Sequence, residues 1–497
     1  MNTEKKLVFN HFYQLRHDLK RSHILAPAVV DKIHASFVQA RWMSRIHPVY
    51  AMIFSFLSTP ITLSDLTKEI AYFLDISETE AENLIKPFIN NNEVCVTNYD
   101  SVINYFPRNI IIDEDLSFTK EIHYSPEQFA YKELDLQRER FYIAPSSILF
   151  MVNNSCITDC VYCYADKSVK SIPLSFARIK EIIAEAHKLG ITVFTIAGGE
   201  ILLYKHWKEL LDLLIEYNYS ESLISTKVPL KEEDIIKLKT YDIPIQISLD
   251  AFDADLLKQI LNVQSDYAEK MHHTINLLDK YDVEFQVATV LTTYNDKVEN
   301  LMALHTFLSK FKNLRRWEIR VGFKSLYSKD DFNKIKLSRT AINVVDEWVK
   351  EIKQTTIMNI LWSTDDGEKY FKAEGGSRKF KGARCSANYS NMVILPNGKV
   401  TICEQLYWNP RFIIGDLTTQ SIEEVWNSPR ALELSFPKRE NFRDESACKE
   451  CDIFEECLSF PNKCFADVLK GYGKENWDYP DPRCIKAPKF THDLCHT

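Results

Sequence analysis

Three cysteines, Cys156, Cys160 and Cys163, fall within eight residues of the run Asn153-Asn154-Ser155-Cys156-Ile157-Thr158-Asp159-Cys160-Val161-Tyr162-Cys163-Tyr164. Thiols this close cannot all pair with one another as disulfides, but they can wrap one face of a metal centre. An iron–sulfur cube held only by protein takes four thiolates, so a local trio leaves one iron for a ligand that is not protein. That arrangement suits a cluster that performs chemistry rather than one that only passes electrons. A zinc knuckle and a chance cluster are the plainer alternatives. Zinc, however, usually takes paired C-x2-C or C-x2-C…H-x3-H patterns, and no second pair stands nearby.

The other cysteines strengthen the metal reading. Of twelve in 497 residues, Cys95 is alone and eight fall after residue 384. The opening Met1-Asn2-Thr3-Glu4-Lys5-Lys6-Leu7 lacks the apolar region of a signal peptide. No apolar run approaches the roughly 18 residues of a membrane span. Cysteine-rich and without a secretory signal, the chain is expected in a reducing, cytoplasmic compartment. A net charge of −8 with no long basic stretch argues against nucleic acid as the main partner. The length suggests about three domains.

From Ser146 the chain alternates strand and helix patterns. Strands are expected over 148–152, 191–197, 223–226, 244–249, 284–291 and 317–321. Helices are expected over 176–186 (with Gly190 as C-cap), 205–217, 235–238, 266–281 and 298–311. Six such units imply a parallel sheet with ligands at the carboxyl ends of its strands; alternation alone permits a doubly wound sheet or a barrel. At those ends lie Gly198-Gly199-Glu200, Ser225-Thr226 and Ser248-Leu249-Asp250. The two glycines let the backbone approach a ligand closely, and the carboxylate beside them can pair with an ammonium. His272-His273 sits within a helix and reads as surface or packing.

The Cys-x3-Cys-x2-Cys spacing, with Tyr162 just before the third cysteine and Gly-Gly-Glu one βα unit later, resembles the signature of the radical S-adenosylmethionine (SAM) enzymes. The resemblance implies an α/β fold, a partial (β/α)6 barrel over 144–335. It implies a 4Fe–4S cluster on Cys156, Cys160 and Cys163 whose open iron takes SAM. Gly198, Gly199 and Glu200 would hold the amino group of SAM, and Tyr162 would lie against adenine. Ser225 and Thr226, in a Ser-Thr-Lys where the family often has Ser-Thr-Asn, would face the ribose and methionine ends of SAM or the substrate. Ser248 and Asp250, in a Ser-Leu-Asp ending, would do the same. Each of these four also suits an ordinary cap. One electron would cleave SAM to a 5′-deoxyadenosyl radical that abstracts hydrogen from an unactivated carbon.

The C-terminal part, 381–497, has Cys385, twelve residues, Gly398, four residues and Cys403. Cys448-x2-Cys451-x5-Cys457, Cys464 and Cys484 follow. This resembles the cysteine-rich SPASM domain, with one departure: six residues rather than three separate Cys457 from Cys464. Pro396-Asn397-Gly398-Lys399-Val400 reads as a hairpin tip delivering Cys403. The resemblance implies two auxiliary iron–sulfur clusters. Cys448, Cys451, Cys457 and Cys484 would hold one. Cys385, Cys403 and Cys464 would hold the other, its fourth iron open, bound by water or substrate, or reached by Cys495. A zinc ribbon on Cys448 and Cys451 would leave the other spaced cysteines unexplained. A bridging region is expected over 336–380, with a helix at 339–356 and a turn at Gly375-Gly376-Ser377.

Ahead of the barrel, 48–57, 64–74 and 77–89 read as helices. Ser77-Glu78-Thr79-Glu80 opens the last with a capping box, and Pro87 kinks or shortens it. A strand over 93–97 follows, and Cys95 reads as a buried small apolar residue. This pattern over 1–110 resembles the winged helix–turn–helix domains that recognise the leader of ribosomally made peptides by adding it as a strand to a sheet edge. A helical packing or dimerisation domain is the alternative, and the acidic helices disfavour DNA. Residues 111–143 read as a linker.

The combined resemblance is to radical SAM/SPASM maturases of ribosomal peptides (RiPPs). Such an oxidoreductase would install a thioether, carbon–carbon or carbon–oxygen cross-link on a precursor peptide with a leader, drawing electrons from a reductant such as flavodoxin or ferredoxin. A maturase of a folded protein, of the sulfatase-maturating type, is the runner-up. A non-catalytic iron–sulfur redox or sensor module is the other alternative, and it has no need of Gly-Gly-Glu.

Overall fold

The computed structural model describes residues 5–27, 35–116, 123–219, 221, 223–327, 332–364 and 383–489. The chain forms two compact units, one running to Ser147 and including Ala184–Phe194, the other made of Ile148–Ile183 and the chain from Thr195 onward.

The first unit carries more strand than its sequence suggests. Its strands are β1 (Lys6–Phe9), β2 (Gln14–His17), β3 (Ser22–Leu25), β4 (Met43–Ile46), β5 (Ile61–Thr62), β6 (Cys95–Tyr99), β7 (Val102–Phe106) and β8 (Ile111–Asp113). They form antiparallel sheets β5-β1-β8 and β2-β3-β4 and the hairpin β6-β7. Helices Pro48–Ser55, Leu63–Leu74 and Glu78–Ile85 lie where their apolar spacing puts them. The Ser77–Glu80 capping box forms, and the last helix gives way to a 3-10 turn at Lys86–Phe88, the site of Pro87. Edge-to-face rings of Tyr50, Phe54, Phe88 and Phe106 fill the core. Cys95 is half-buried against this core.

The expected linker over 111–143 instead supplies part of the unit. β8 pairs with β1, and the Asp18 carboxylate accepts the backbone N–H groups of Tyr142 and Ile143 at 2.8 and 3.0 Å. A buried carboxylate must be satisfied, and here it is satisfied by chain that composition alone marked as connecting.

Further along, β9 (Ser147–Met151), β10 (Val193–Ala197), β11 (Ile224–Thr226), β12 (Ile245–Ser248), β13 (Phe285–Leu291) and β14 (Leu314–Val321) are the six expected strands. β15 (Ile360–Ser363), which the sequence reading missed, extends the parallel series β11-β12-β13-β14-β15. Among the described residues the six do not join in a single continuous sheet. β9 and β10 join β16 (Asn391–Ile394), β17 (Lys399–Thr401) and β18 (Ile413–Asp416) in the order β10-β9-β16-β17-β18. Between β10 and β11 the ladder is replaced by a side chain: the buried Glu221 carboxyl accepts the Ile196 N–H at 2.8 Å. The expected hairpin at Gly398 (φ +85°) joins β16 to β17. A helix at Arg339–Thr355 leads to β15; Gly375-Gly376-Ser377 and Cys495 lie outside the described residues.

Candidate active site

The cysteine loop leaves β9 and is held on two sides. Asn153 is the pin on the first: its carbonyl accepts Gly199 N–H at 2.9 Å, its side-chain amide donates to the Glu200 carbonyl at 2.8 Å, and its side-chain oxygen accepts Ser155 N–H at 3.0 Å. On the second, Asp159 and Val161 donate to the carbonyls of Leu261 and Ile260, at the end of helix Ala254–Leu261, which the sequence reading did not assign. The glycines make the first side possible. A Cβ on Gly199 would lie 2.2 Å from the Ser155 carbonyl oxygen, and one on Gly198 would lie 2.6 Å from that of Asn153. Their smallness therefore serves the approach of the cysteine loop, where the sequence reading assigned it to a ligand.

The three thiols face one cavity of about 310 Å³, together with Tyr162, Gly198, Gly199, Glu200, Ser225, Thr226, Lys227 and Ser248. The Thr158 hydroxyl sits between the sulfurs of Cys156 (3.1 Å) and Cys160 (3.3 Å). Glu200 is 4% exposed, and burial raises its carboxyl above the ordinary range while the Lys227 N–H, at 2.8 Å, pulls it back. Among the described residues its partners are backbone N–H groups and the Thr226 hydroxyl. A buried carboxylate of this kind has a strong preference for an incoming ammonium.

Asp250 departs from its expected place. It is not in the cavity wall but behind it, 1% exposed, accepting the Tyr162 hydroxyl and the Val290 N–H at 2.8 Å. Tyr162 lines the cavity with its ring but is tied at its hydroxyl, which also accepts from the Lys227 ammonium at 3.0 Å. Lys227 stands 3.5 Å from Asp250. Burial works against its charge, but Asp250 and the Cys160 sulfur outweigh it and lift the ammonium above its ordinary value. Ser225 accepts from Gln246 at 2.8 Å, and Thr226 accepts the Val228 N–H at 2.9 Å. The Lys227 network was missed. Its signal was the lysine standing where the family often shows asparagine.

The later cysteines gather as two sets. Cys448, Cys451 and Cys484 lie close enough to act on the Cys457 thiol, which burial, foremost, and these neighbours push up to about 11. All four line a second cavity of about 520 Å³, walled by Phe442, Phe454, Phe460, Phe465 and Trp477. Cys385 likewise acts on both Cys403 and Cys464. Burial raises these thiols, so metal must displace their protons. Asp481 ties the sets together: one oxygen accepts Cys464 N–H at 2.8 Å, and both bond Arg483, the residue before Cys484, at 2.7 Å. Among the described residues no three Cys, His, Asp or Glu side chains close on a point as a single ion needs. All-thiol sets of this kind fit iron–sulfur clusters, whose irons each take one protein thiolate. When bound, such clusters supply one-electron chemistry. Cys156, Cys160 and Cys163 would hold the reactive one, in the cavity that Glu200 also lines.

The Radical SAM superfamily model matches residues 151–305, and that of SPASM, an iron–sulfur cluster-binding domain, matches 385–452. The chain is 22% identical over 336 residues to the antilisterial bacteriocin subtilosin biosynthesis protein AlbA of Bacillus subtilis, covering 67% of this chain and 69% of AlbA. It is 23% identical over 351 residues to the mycofactocin maturase MftC of Mycobacterium ulcerans, covering 69% and 89%. The crystal structure of Streptococcus suis SuiB bound to precursor peptide SuiA superposes with a TM-score of 0.60 at 14% identity, covering 95% of this chain and 98% of SuiB. The likeness to SuiB is one of fold.

Proposed function

The chain carries a radical SAM domain and a SPASM domain, and from that premise we propose that it is a peptide maturase that installs a cross-link on a ribosomally made precursor. The observation that carries this is the packing of Gly198-Gly199-Glu200 on the cysteine loop. It sets a buried carboxylate, held by backbone N–H groups and the Thr226 hydroxyl, in one cavity with three thiols. A cluster and SAM bound here supply hydrogen abstraction from an unactivated carbon. The chain's own part is to bind and to exclude. Glu200 receives the amino group of SAM. Tyr162, held by Asp250 and Lys227, keeps its ring fixed along the cavity wall. The glycines let the cysteine loop pack directly on this turn.

AlbA is named for bacteriocin biosynthesis, MftC is named a maturase, and SuiB was captured with its precursor peptide. These relatives favour a peptide over a folded-protein substrate, and a sensor has no use for the Glu200 cavity. The first unit, with three helices and the β6-β7 hairpin, suits recognition of a leader laid along a sheet edge. Electrons would come from a flavodoxin or ferredoxin in the cytoplasm. Among the described residues no helix is long and apolar enough to cross a membrane.

The test is anaerobic reconstitution with iron and sulfide, followed by dithionite and SAM. The full chain is expected to form 5′-deoxyadenosine, and Cys156→Ala to lose this by more than 1,000-fold while keeping its auxiliary iron. Unchanged cleavage in that variant rules the reading out. The small open reading frame beside the gene would supply the peptide to be assayed.

A further inference from the structure

The loop that departs from the family spacing, between Cys457 and Cys464, carries a lysine into the wall of the four-cysteine cavity. The Lys463 ammonium lies 5.1 Å from the ring centre of Phe442 and 5.6 Å from that of Phe465, within cation–π range of both. Its one hydrogen bond among the described residues goes to the Asp478 carbonyl at 3.3 Å, which leaves two of its three N–H donors unused. The two carboxylates near it are already engaged. Asp478 accepts Arg443 through its backbone N–H at 3.0 Å and through its guanidinium. Asp481 is held by Arg483. Among the described residues Lys463 thus has no carboxylate of its own; Cys448, Asp478, Asp481 and Cys457 lie close enough to act on it.

An unmatched buried cation is costly unless something negative answers it. A 4Fe–4S cluster on four thiolates is negative and gains a further negative charge on reduction, and nearby charge is one of the levers that set its potential. At the other auxiliary set two carboxylates stand beside the ligands: Glu404 adjoins Cys403, where Lys470 also acts, and Asp467, one helical turn from Cys464, shares Arg483 with Asp481.

We propose that Lys463 is the built-in counter-charge of the Cys448/Cys451/Cys457/Cys484 cluster and makes it the higher-potential member of the auxiliary pair. An electron passed between them oxidises the Cys385/Cys403/Cys464 cluster by one and reduces the four-cysteine cluster by one, so it comes to rest on the latter. Lys463 acts as a positioning charge, and the proposal rests on both sets holding clusters, as the peptide-maturase reading requires.

The test uses the full chain, reconstituted with iron and sulfide, in a Cys156→Ala/Cys160→Ala/Cys163→Ala background, so that only auxiliary clusters give paramagnetic resonance signals. A potentiometric titration is expected to show two steps, with Cys484→Ser altering the signal that appears at the higher potential. Lys463→Met should lower the reduced-to-oxidised ratio of that signal at least tenfold at fixed potential, about 59 mV for one electron, while Lys463→Arg keeps it within threefold. The proposal is overturned if Cys484→Ser alters the lower-potential signal, or if Lys463→Met moves neither step. Should Lys463→Met fail to retain iron, the order of the steps in the Lys463 chain decides alone. Failure of the unmutated chain to form 5′-deoxyadenosine would sink the maturase reading and leave this ordering measurable.

Discussion

At the first cysteine loop the buried ammonium of Lys227 has its own carboxylate, Asp250, and a tyrosine hydroxyl between them. At the four-cysteine cavity the buried ammonium of Lys463 has a carbonyl and two aromatic rings. Both sites present the same ligand atom, sulfur. The first is the smaller, about 310 Å³, and its lysine is already matched by Asp250, which leaves Glu200 for an incoming cation. The second is larger, about 520 Å³, and walled by aromatic rings. The groups around the ligands, more than the ligands, separate a site that must seat a charged small molecule from one that must hold an electron.

The comparison breaks most easily at Gly199. Gly199→Ala puts a methyl 2.2 Å from the Ser155 carbonyl oxygen, against backbone that cannot step aside. A loss of 5′-deoxyadenosine formation of at least 100-fold is expected, with the auxiliary clusters still loaded. A loss under fivefold would show that the loop tolerates a wider gap and that its polar pre-arrangement is not needed. Asp250→Asn removes the partner of Lys227 and leaves a buried cation unpaired, at a cost of about 3 kcal/mol. Urea unfolding of the apo chain measures it. A cost below about 0.5 kcal/mol would mean that the first site is no better matched than the second.

Glu221 sharpens the contrast from a third direction, since it meets burial by keeping its proton. Burial pushes its carboxyl up to about 8. The folded value stands above the unfolded one, so the folded chain holds a proton that the unfolded chain has released. Stability therefore falls as pH rises from about 5 to about 8, by roughly 1.4 kcal/mol per unit, and levels off above. Glu221→Gln should remove that share of the slope, as read from denaturation midpoints across the range. An unchanged slope would place the titration elsewhere.

The six strands and the nearness of Gly-Gly-Glu to the first cysteine loop were legible because each depends on local spacing, whereas the grouping of the later cysteines was implied only by the resemblance. What stayed hidden depends on partners far along the chain. β1 to β4 are four residues each, and buried Arg16, Arg21 and His23 interrupt the apolar alternation that would have marked them. The chain around 135–143 reads as linker until Asp18, more than a hundred residues earlier, is seen to need its N–H groups. Asp250 looked like a ligand contact because it ends a strand; only the fold places Tyr162 and Lys227 in front of it. Lys227 and Lys463 left one trace each, a residue and a loop length that differ from the family pattern.

Asp481 grips Cys464 with one oxygen and Arg483, beside Cys484, with both. Whichever auxiliary cluster is inserted first therefore stiffens the cradle awaiting the second, and maturation should run in a concerted fashion with half-filled protein scarce. The same knot works in reverse under air, where damage to one cluster loosens its neighbour and hastens the loss of both.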